Sequence, residues 1–236
     1  GRNVPRPSMN TARRCGSAAL AVAAITAAGC TTSTAGHQQP GADARRATEL
    51  TKLLLTADEI NEAMNTTAMT VDTTSSTLVD DRPHTTPVDR LAVSSIGQQQ
   101  VYADTDWTAA RIQSLHEPGH DYTHLAHQSV VEFPTPEASN AFYDKARRAW
   151  EVCAPGRYTY ATGSDDDAAS WTVVPLEESR GILTASSIQV GTVWLCQRAL
   201  TAAAAVVVDV LTCSSDPAAS QGALTIAQQI ADRVGQ

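Results

Sequence analysis

Positive charge is in short supply in this sequence. Its 17 lysines and arginines face 25 aspartates and glutamates, for a formal charge of -8. An acidic surface repels phosphate backbones and anionic headgroups, which excludes nucleic acid as a partner and electrostatic docking to a membrane. Aromatic residues are also scarce, at 5%. The four tryptophans, Trp107, Trp150, Trp171 and Trp194, are therefore worth locating, and core packing is the default expectation for each. No close Cys-x-x-Cys pair is present, which argues against a redox site or a compact zinc site. No Gly-x-Ser-x-Gly elbow is present, and Gly97 stands alone before Gln98 to Gln100 rather than in a phosphate-cradling loop. Neither a nucleophile motif nor a cofactor motif emerges, and the expectation is a non-catalytic protein without cofactor or metal.

The one apolar run near the N-terminus, Gly16–Ala28, is too short to cross a bilayer comfortably as a helix. It follows a basic pair, Arg13 and Arg14, and ends in Ala27, Ala28 and Gly29 before Cys30. That layout is a secretion signal. Its small-small-Gly-Cys ending resembles a bacterial lipobox, with Ala27 where leucine is commoner, and implies lipidation of Cys30 after removal of residues 1–29. The alternative is an ordinary signal cut nearby, with Cys30 incidental. Cleavage before Cys30 removes Arg2, Arg6, Arg13 and Arg14 and no acid, leaving 13 cations against 25 anions, or -12. The membrane link would then be the acyl chains alone. The expected location is the extracytoplasmic face of the cell membrane, lipid-anchored.

Residues 30–47 are small and polar, and read as a flexible tether. A domain is expected over 48–236. Leu50, Leu53 and Leu54 suit a first short helix, and Thr56 with Glu59 forms a capping box for a second. Val71–Arg90 reads mostly as loop. A strand is expected to end near Val101–Tyr102, with another element opening at Trp107 and a strand over His124–Pro134. Pro136–Cys153 is the clearest helix, with Ala138, Ala141, Phe142, Ala146, Ala149 and Trp150 in a stripe. Strand-like runs follow at Tyr158–Ala161, Ser170–Val174 and Ile182–Val190, then a hairpin, then an amphipathic helix over Pro217–Val234. Helices at both ends and mid-chain around consecutive strands argue for an α+β fold with a central, mostly antiparallel sheet and a cleft.

The hairpin "CQRALTAAAAVVVDVLTC" turns near Ala202–Ala205. Counting back from that turn sets Leu200 opposite Asp209, Arg198 opposite Leu211 and Cys196 opposite Cys213. The two sulfurs then share a face at facing positions, within bonding reach. In that register Arg198 and Asp209 are diagonal neighbours, and in a cleft they could fix a polar ligand. Tyr102 and Trp107, in a polar setting with Asp104 and Asp106, are further candidates to line a groove. His116, His120, His124 and His127 crowd together with Glu117 and Asp121, but a strand would place His124 and His127 on opposite faces. A polar loop with scattered histidines is the expected reading. Gly163–Ser170 reads as an acidic turn.

The segments "LLLTADEINEAM", "YADTDWTAARIQSLHEPG", "QSVVEFPTPEASNAFYDKARRAWEVCA" and the cysteine hairpin resemble the PknH-like extracellular domain, over about Leu50 to Val234. That family comprises a mycobacterial receptor-kinase sensor domain and lipoproteins carrying the domain alone, and this chain resembles the stand-alone kind. The resemblance implies a twisted antiparallel sheet, a solvent-filled cleft for an unknown small-molecule or cell-wall ligand, and two disulfides. One would be Cys196–Cys213. The other would join Cys153 to an earlier cysteine of the domain, and none exists between Cys30 and Cys153. The resemblance implies no catalytic residues. It favours a ligand-binding or sensor-type lipoprotein; the alternative is a structural or protein-binding envelope lipoprotein.

Overall fold

The structure, a computed structural model, describes residues 40–161 and 168–236. The chain opens with helices α1 (Pro40–Leu53) and α2 (Ala57–Ala63). Strands β1 (Thr70–Ser75) and β2 (Thr85–Thr86) follow, then two helical turns, α3 (Leu91–Ser94) and α4 (Gln99–Tyr102). Next come β3 (Ala109–His116), β4 (His124–Glu132) and the long helix α5 (Pro136–Cys153). Strands β5 (Gly156–Tyr160), β6 (Ala169–Val173), β7 (Glu177–Ser179), β8 (Ile182–Gln189), β9 (Leu195–Ala203) and β10 (Val206–Ser214) lead to the closing helix α6 (Gly222–Val234).

The ten strands form one antiparallel sheet in the order β1-β3-β4-β10-β9-β8-β6-β5-β2, with β7 on β8. The α+β expectation holds. Strand β10 lies between β4 and β9 and is buried on both sides, which explains why "VVVDV" is nearly continuous in apolar character rather than alternating. Val206, Val208 and Val210 face one layer, made by Ile226 and Ile230 of α6, Leu50 of α1 with Leu54 just beyond it, and Ile60 of α2 with its C-cap Met64. Val207 and Leu211 face the other, with Phe142 and Trp150 of α5.

Local chemistry accounts for the helix starts. Thr56 accepts from the Glu59 amide while the Glu59 carboxylate accepts from the Thr56 amide, the capping box expected. Thr135 caps α5 by accepting from the Ala138 amide, ahead of Pro136. Ser139, Phe142, Ala146, Trp150 and Cys153 then recur on its buried face.

Three expectations are corrected. The first helix begins at Pro40, inside the segment read as tether. Val71–Arg90, expected to be mostly loop, opens on a strand: β1 pairs with β3 along the edge of the sheet. Its side chains are almost all exposed, so the apolar alternation that normally betrays a strand is missing. The strand expected to end at Val101–Tyr102 is instead helical turn α4. Gln98 sets that turn by bonding the Asp81 amide, the Asp81 carboxylate and the Ile96 carbonyl, a long-range arrangement with no local signature. Cys30 and residues 1–29 lie outside the described residues, as does most of the acidic turn at 163–170.

Candidate functional site

The β9–β10 hairpin pairs as counted from its turn: Leu200 with Asp209, Arg198 with Leu211, Cys196 with Cys213. The two cysteines form a disulfide. Side chains alternate, so Leu211 and Cys213 point to the same face, opposite Val210 and Thr212. On neighbouring β4, His127 pairs with Leu211 and Leu125 with Cys213, which puts both on that face too. Helix α5 covers only part of this face. The remainder is the floor of a cleft of about 420 Å³, with Cys196, Cys213, Leu211, Leu125 and His127 lining it. That size lies within the roughly 300–1,000 Å³ common for small-molecule sites.

Two walls rise from this floor. The β5–β6 ribbon supplies Tyr158, Tyr160 and Trp171. Tyr158 and Trp171 are cross-strand partners whose ring planes lie 5° apart with centroids at 6.1 Å. The other wall is irregular chain, with Val79, Asp81 and Ser94 to Gln98 excepting Gly97. Tyr122 and Trp194 complete the rim, their rings tilted at 6.3 Å, and Tyr122 stacks on His116 at 4.7 Å.

The electrostatics of the cleft are simple. Asp81 is its one acidic lining residue, and among the described residues no lysine or arginine lines it. Gln98 holds one Asp81 oxygen at 2.7 Å, and the Tyr160 hydroxyl approaches the other at 3.5 Å. Burial pushes the His127 imidazole down to about 4, so the ring is neutral at pH 7. Burial pushes the Tyr158 and Tyr160 phenols up to about 12, so both remain protonated. Two cleft residues carry polar atoms with no protein partner: the Ser94 hydroxyl and the Trp171 indole N–H.

The four residues expected to bind ligand fare differently. Arg198 and Asp209 do pair, at 2.7 and 3.1 Å, but both are buried. Arg198 also donates to the Ser95 carbonyl at 2.8 Å and sits over the Trp150 ring at 4.9 Å. Its hydrogen bonds thus go to the protein, and the pair braces the Ser94–Gln98 wall instead of lining the cleft. Burial holds the Asp209 carboxyl above its usual range, against the pull of Arg198. Tyr102 is 1% exposed and stacks on Phe142 at 4.3 Å, inside the core. Trp107 packs on the edge of that core and does not line the cleft.

The residues that do form the cleft were missed from sequence. Core packing is the default expectation for Trp171 and Trp194, yet both line the cleft, and of the four tryptophans only Trp150 is fully buried. The one usable signal was Tyr158 and Tyr160 two apart on a strand, which share a face with Trp171 opposite. The histidine group disperses: His124 pairs with Glu117 at 2.6 Å, His116 packs on Tyr122, and His127 faces the cleft. Cys153 is a free, buried thiol beside the Asp89 carbonyl. A second groove of about 180 Å³ between α3, α4 and α5 is a smaller crevice between packed helices.

The family model for the PknH-like extracellular domain matches residues 46–233. The chain is 32% identical over 200 residues to the serine/threonine-protein kinase PknH of Mycobacterium bovis, covering 84% of this chain and 32% of that protein. The same identity holds for PknH of Mycobacterium tuberculosis H37Rv, of which 30% is covered. This chain thus spans about a third of the length of those kinases. The crystal structure of the extracellular domain of PknH from Mycobacterium tuberculosis superimposes with a TM-score of 0.73 at 31% identity, covering 80% of this chain and 95% of that one.

Proposed function

This chain belongs to the PknH-like extracellular domain family, and from that premise we propose that it is a lipid-anchored, extracytoplasmic ligand-binding protein of the sensor type, without catalytic activity. The observation that carries the reading is the aromatic-walled cleft on a disulfide-clamped floor. Such a cleft offers apolar contact area with a few polar groups to orient a guest. No member of its lining pairs a nucleophile with a base held by a third group, the arrangement hydrolytic chemistry needs. Cys30 is the proposed site of the acyl anchor and the membrane link.

Native mass spectrometry of the protein purified from its own envelope tests this. The expected spectrum carries an acyl mass on Cys30, one disulfide and a retained small molecule that a folded Trp171→Ala variant loses. Ligand retained equally by that variant would overturn the cleft as the site.

One observation favours the alternative, a protein-binding envelope lipoprotein. At the β8–β9 turn Val190 and Val193 are exposed, Val193 at 78%, beside Trp194. Adjacent exposed apolar residues are a feature of protein contacts. A photo-crosslinker at Val193 would yield one discrete protein adduct in cells under this reading, and none if the cleft alone is functional.

A further inference from the structure

Asp81 is a carboxylate without a counter-ion. It lines the cleft and is partly exposed there. Gln98, itself 2% exposed, holds it twice: the Gln98 amide nitrogen donates to one Asp81 oxygen at 2.7 Å, and the Gln98 amide oxygen accepts from the Asp81 backbone N–H at 2.9 Å. These bonds fix the group but leave its charge in place. The adjacent cation, Arg82, pairs with Asp80 at 2.6 Å instead. Arg198 is committed to Asp209 and the Ser95 carbonyl. Among the described residues no lysine or arginine lines the cleft. An unpaired negative charge thus shares the cleft with five aromatic rings, those of Tyr122, Tyr158, Tyr160, Trp171 and Trp194. The formal charge of the chain, -8, adds a field of the same sign.

This combination discriminates among guests. An anion would meet Asp81 with no cation to offset either the repulsion or its own desolvation. A neutral guest, apolar or hydroxylated, would strip water from the carboxylate without bringing a charge in return. A polyol meets a second penalty. Gln98 is committed to Asp81 and the Ile96 carbonyl, and much of the remaining lining is apolar, with Val79, Ile112, Leu125, Leu211 and the disulfide. Such surface offers hydroxyls no partner. An organic cation avoids both penalties. It offsets the Asp81 charge where the dielectric is lower than in water, and aromatic faces attract it through their quadrupoles. Its apolar substituents then cover the aliphatic lining. Resting on the binding reading above, we infer that the cleft takes a small organic cation, an alkyl- or arylammonium, with Asp81 as its counter-ion and the rings of Trp171 and Trp194 among its walls.

Titration calorimetry and tryptophan quenching on the purified protein test the assignment with five probes. These are benzyltrimethylammonium, choline, 3,3-dimethylbutan-1-ol (the neutral isostere of choline), hexanoate and cellobiose. Both cations are expected to bind, choline about tenfold or more tighter than its isostere, and hexanoate and cellobiose not to bind. Asp81→Asn keeps the side-chain shape and an oxygen for Gln98. It weakens both cations by about tenfold or more, the loss of one partly buried charge pair, and leaves the isostere unmoved. Trp194→Leu keeps apolar surface but removes the quadrupole, and weakens the cations by about two- to fivefold. A residue serving the fold alone would not separate a charged probe from its neutral twin. Equal affinity for choline and its isostere, binding of hexanoate or cellobiose in place of the cations, or unchanged cation affinity in Asp81→Asn overturns the cation and leaves the cleft as a binding site. Silence from both cations also overturns it. The binding reading falls as well only if the envelope-purified protein retains no small molecule that Trp171→Ala loses.

Discussion

Arg198 meets Asp209 at 2.7 Å while donating to the Ser95 carbonyl at 2.8 Å, so one buried guanidinium ties the central hairpin to the wall of the cleft. Both residues of the pair are 4% exposed or less. Taking one charge away leaves the other buried and unpaired.

Asp209→Ala is therefore expected to destabilise by about 3–5 kcal/mol. The double variant Arg198→Met, Asp209→Leu is expected to recover most of that loss, because apolar side chains of similar volume carry no desolvation cost. Urea denaturation of the two variants checks both. A single variant within about 0.5 kcal/mol of the wild type, the range of ordinary surface substitutions, would show that the pair does not brace the fold.

The Cys196–Cys213 bridge closes a loop of sequence separation 17. Chain-entropy reasoning gives such a staple about 3 kcal/mol. Cys196→Ala, Cys213→Ala should lower the urea midpoint accordingly, with an equal or steeper slope because the unlinked unfolded chain exposes more surface. It should also bring forward the alkylation of Cys153, which is buried and reacts only on opening.

His127 is expected to titrate by NMR near pH 4 rather than near its ordinary value of 6.5. Between those two values the unfolded chain binds the proton and the folded chain does not. Stability therefore falls as pH drops from 6.5 to about 4 and is insensitive to this group above 6.5. His127→Asn should flatten that portion of the stability–pH curve. A titration midpoint at 6.5 would show that the floor of the cleft does not desolvate the ring.

Helix α6 is held by Ile226 and Ile230, both at 0% exposure against α1, α2 and β10. Ile230→Ala should cost about 2–5 kcal/mol, the range for large-to-small changes in a packed core. Calorimetric unfolding provides the measurement, and a loss below about 1 kcal/mol would show that the layer repacks.

Cys30→Ser, expressed in a host that lipidates exported proteins, is expected to move the protein from the detergent phase to the aqueous phase on detergent partitioning. Retention in the detergent phase would remove lipidation of Cys30 as the anchor.

The sequence alone determined those features whose cause is near in the chain. The hairpin register follows from counting back from one turn, because side chains alternate with a period of two; hence Cys196 opposite Cys213. The starts of α2 and α5 follow from Thr56 with Glu59 and from Thr135 with Pro136, since a cap and its amides lie within three residues. The family resemblance rests on the same local blocks. Strand β1 was illegible because an exposed edge has no apolar alternation, and α4 because Gln98 sets it through Asp81, 17 residues away.

The cleft was decided by tertiary structure. Its lining runs from Val79 to Cys213, and every contact across it joins segments whose order in the chain says nothing of their distance. Arg198 and Asp209 could be paired from register, but only the packing of Ala92–Ser95 over them made the pair a buried brace rather than a ligand contact. Trp150 and Trp171 share the default expectation of core packing in the sequence. Trp150 projects from α5 into the core it makes with the sheet and Trp171 stands on sheet that α5 leaves open, because a single helix covers part of a face that ten strands make too wide to cover.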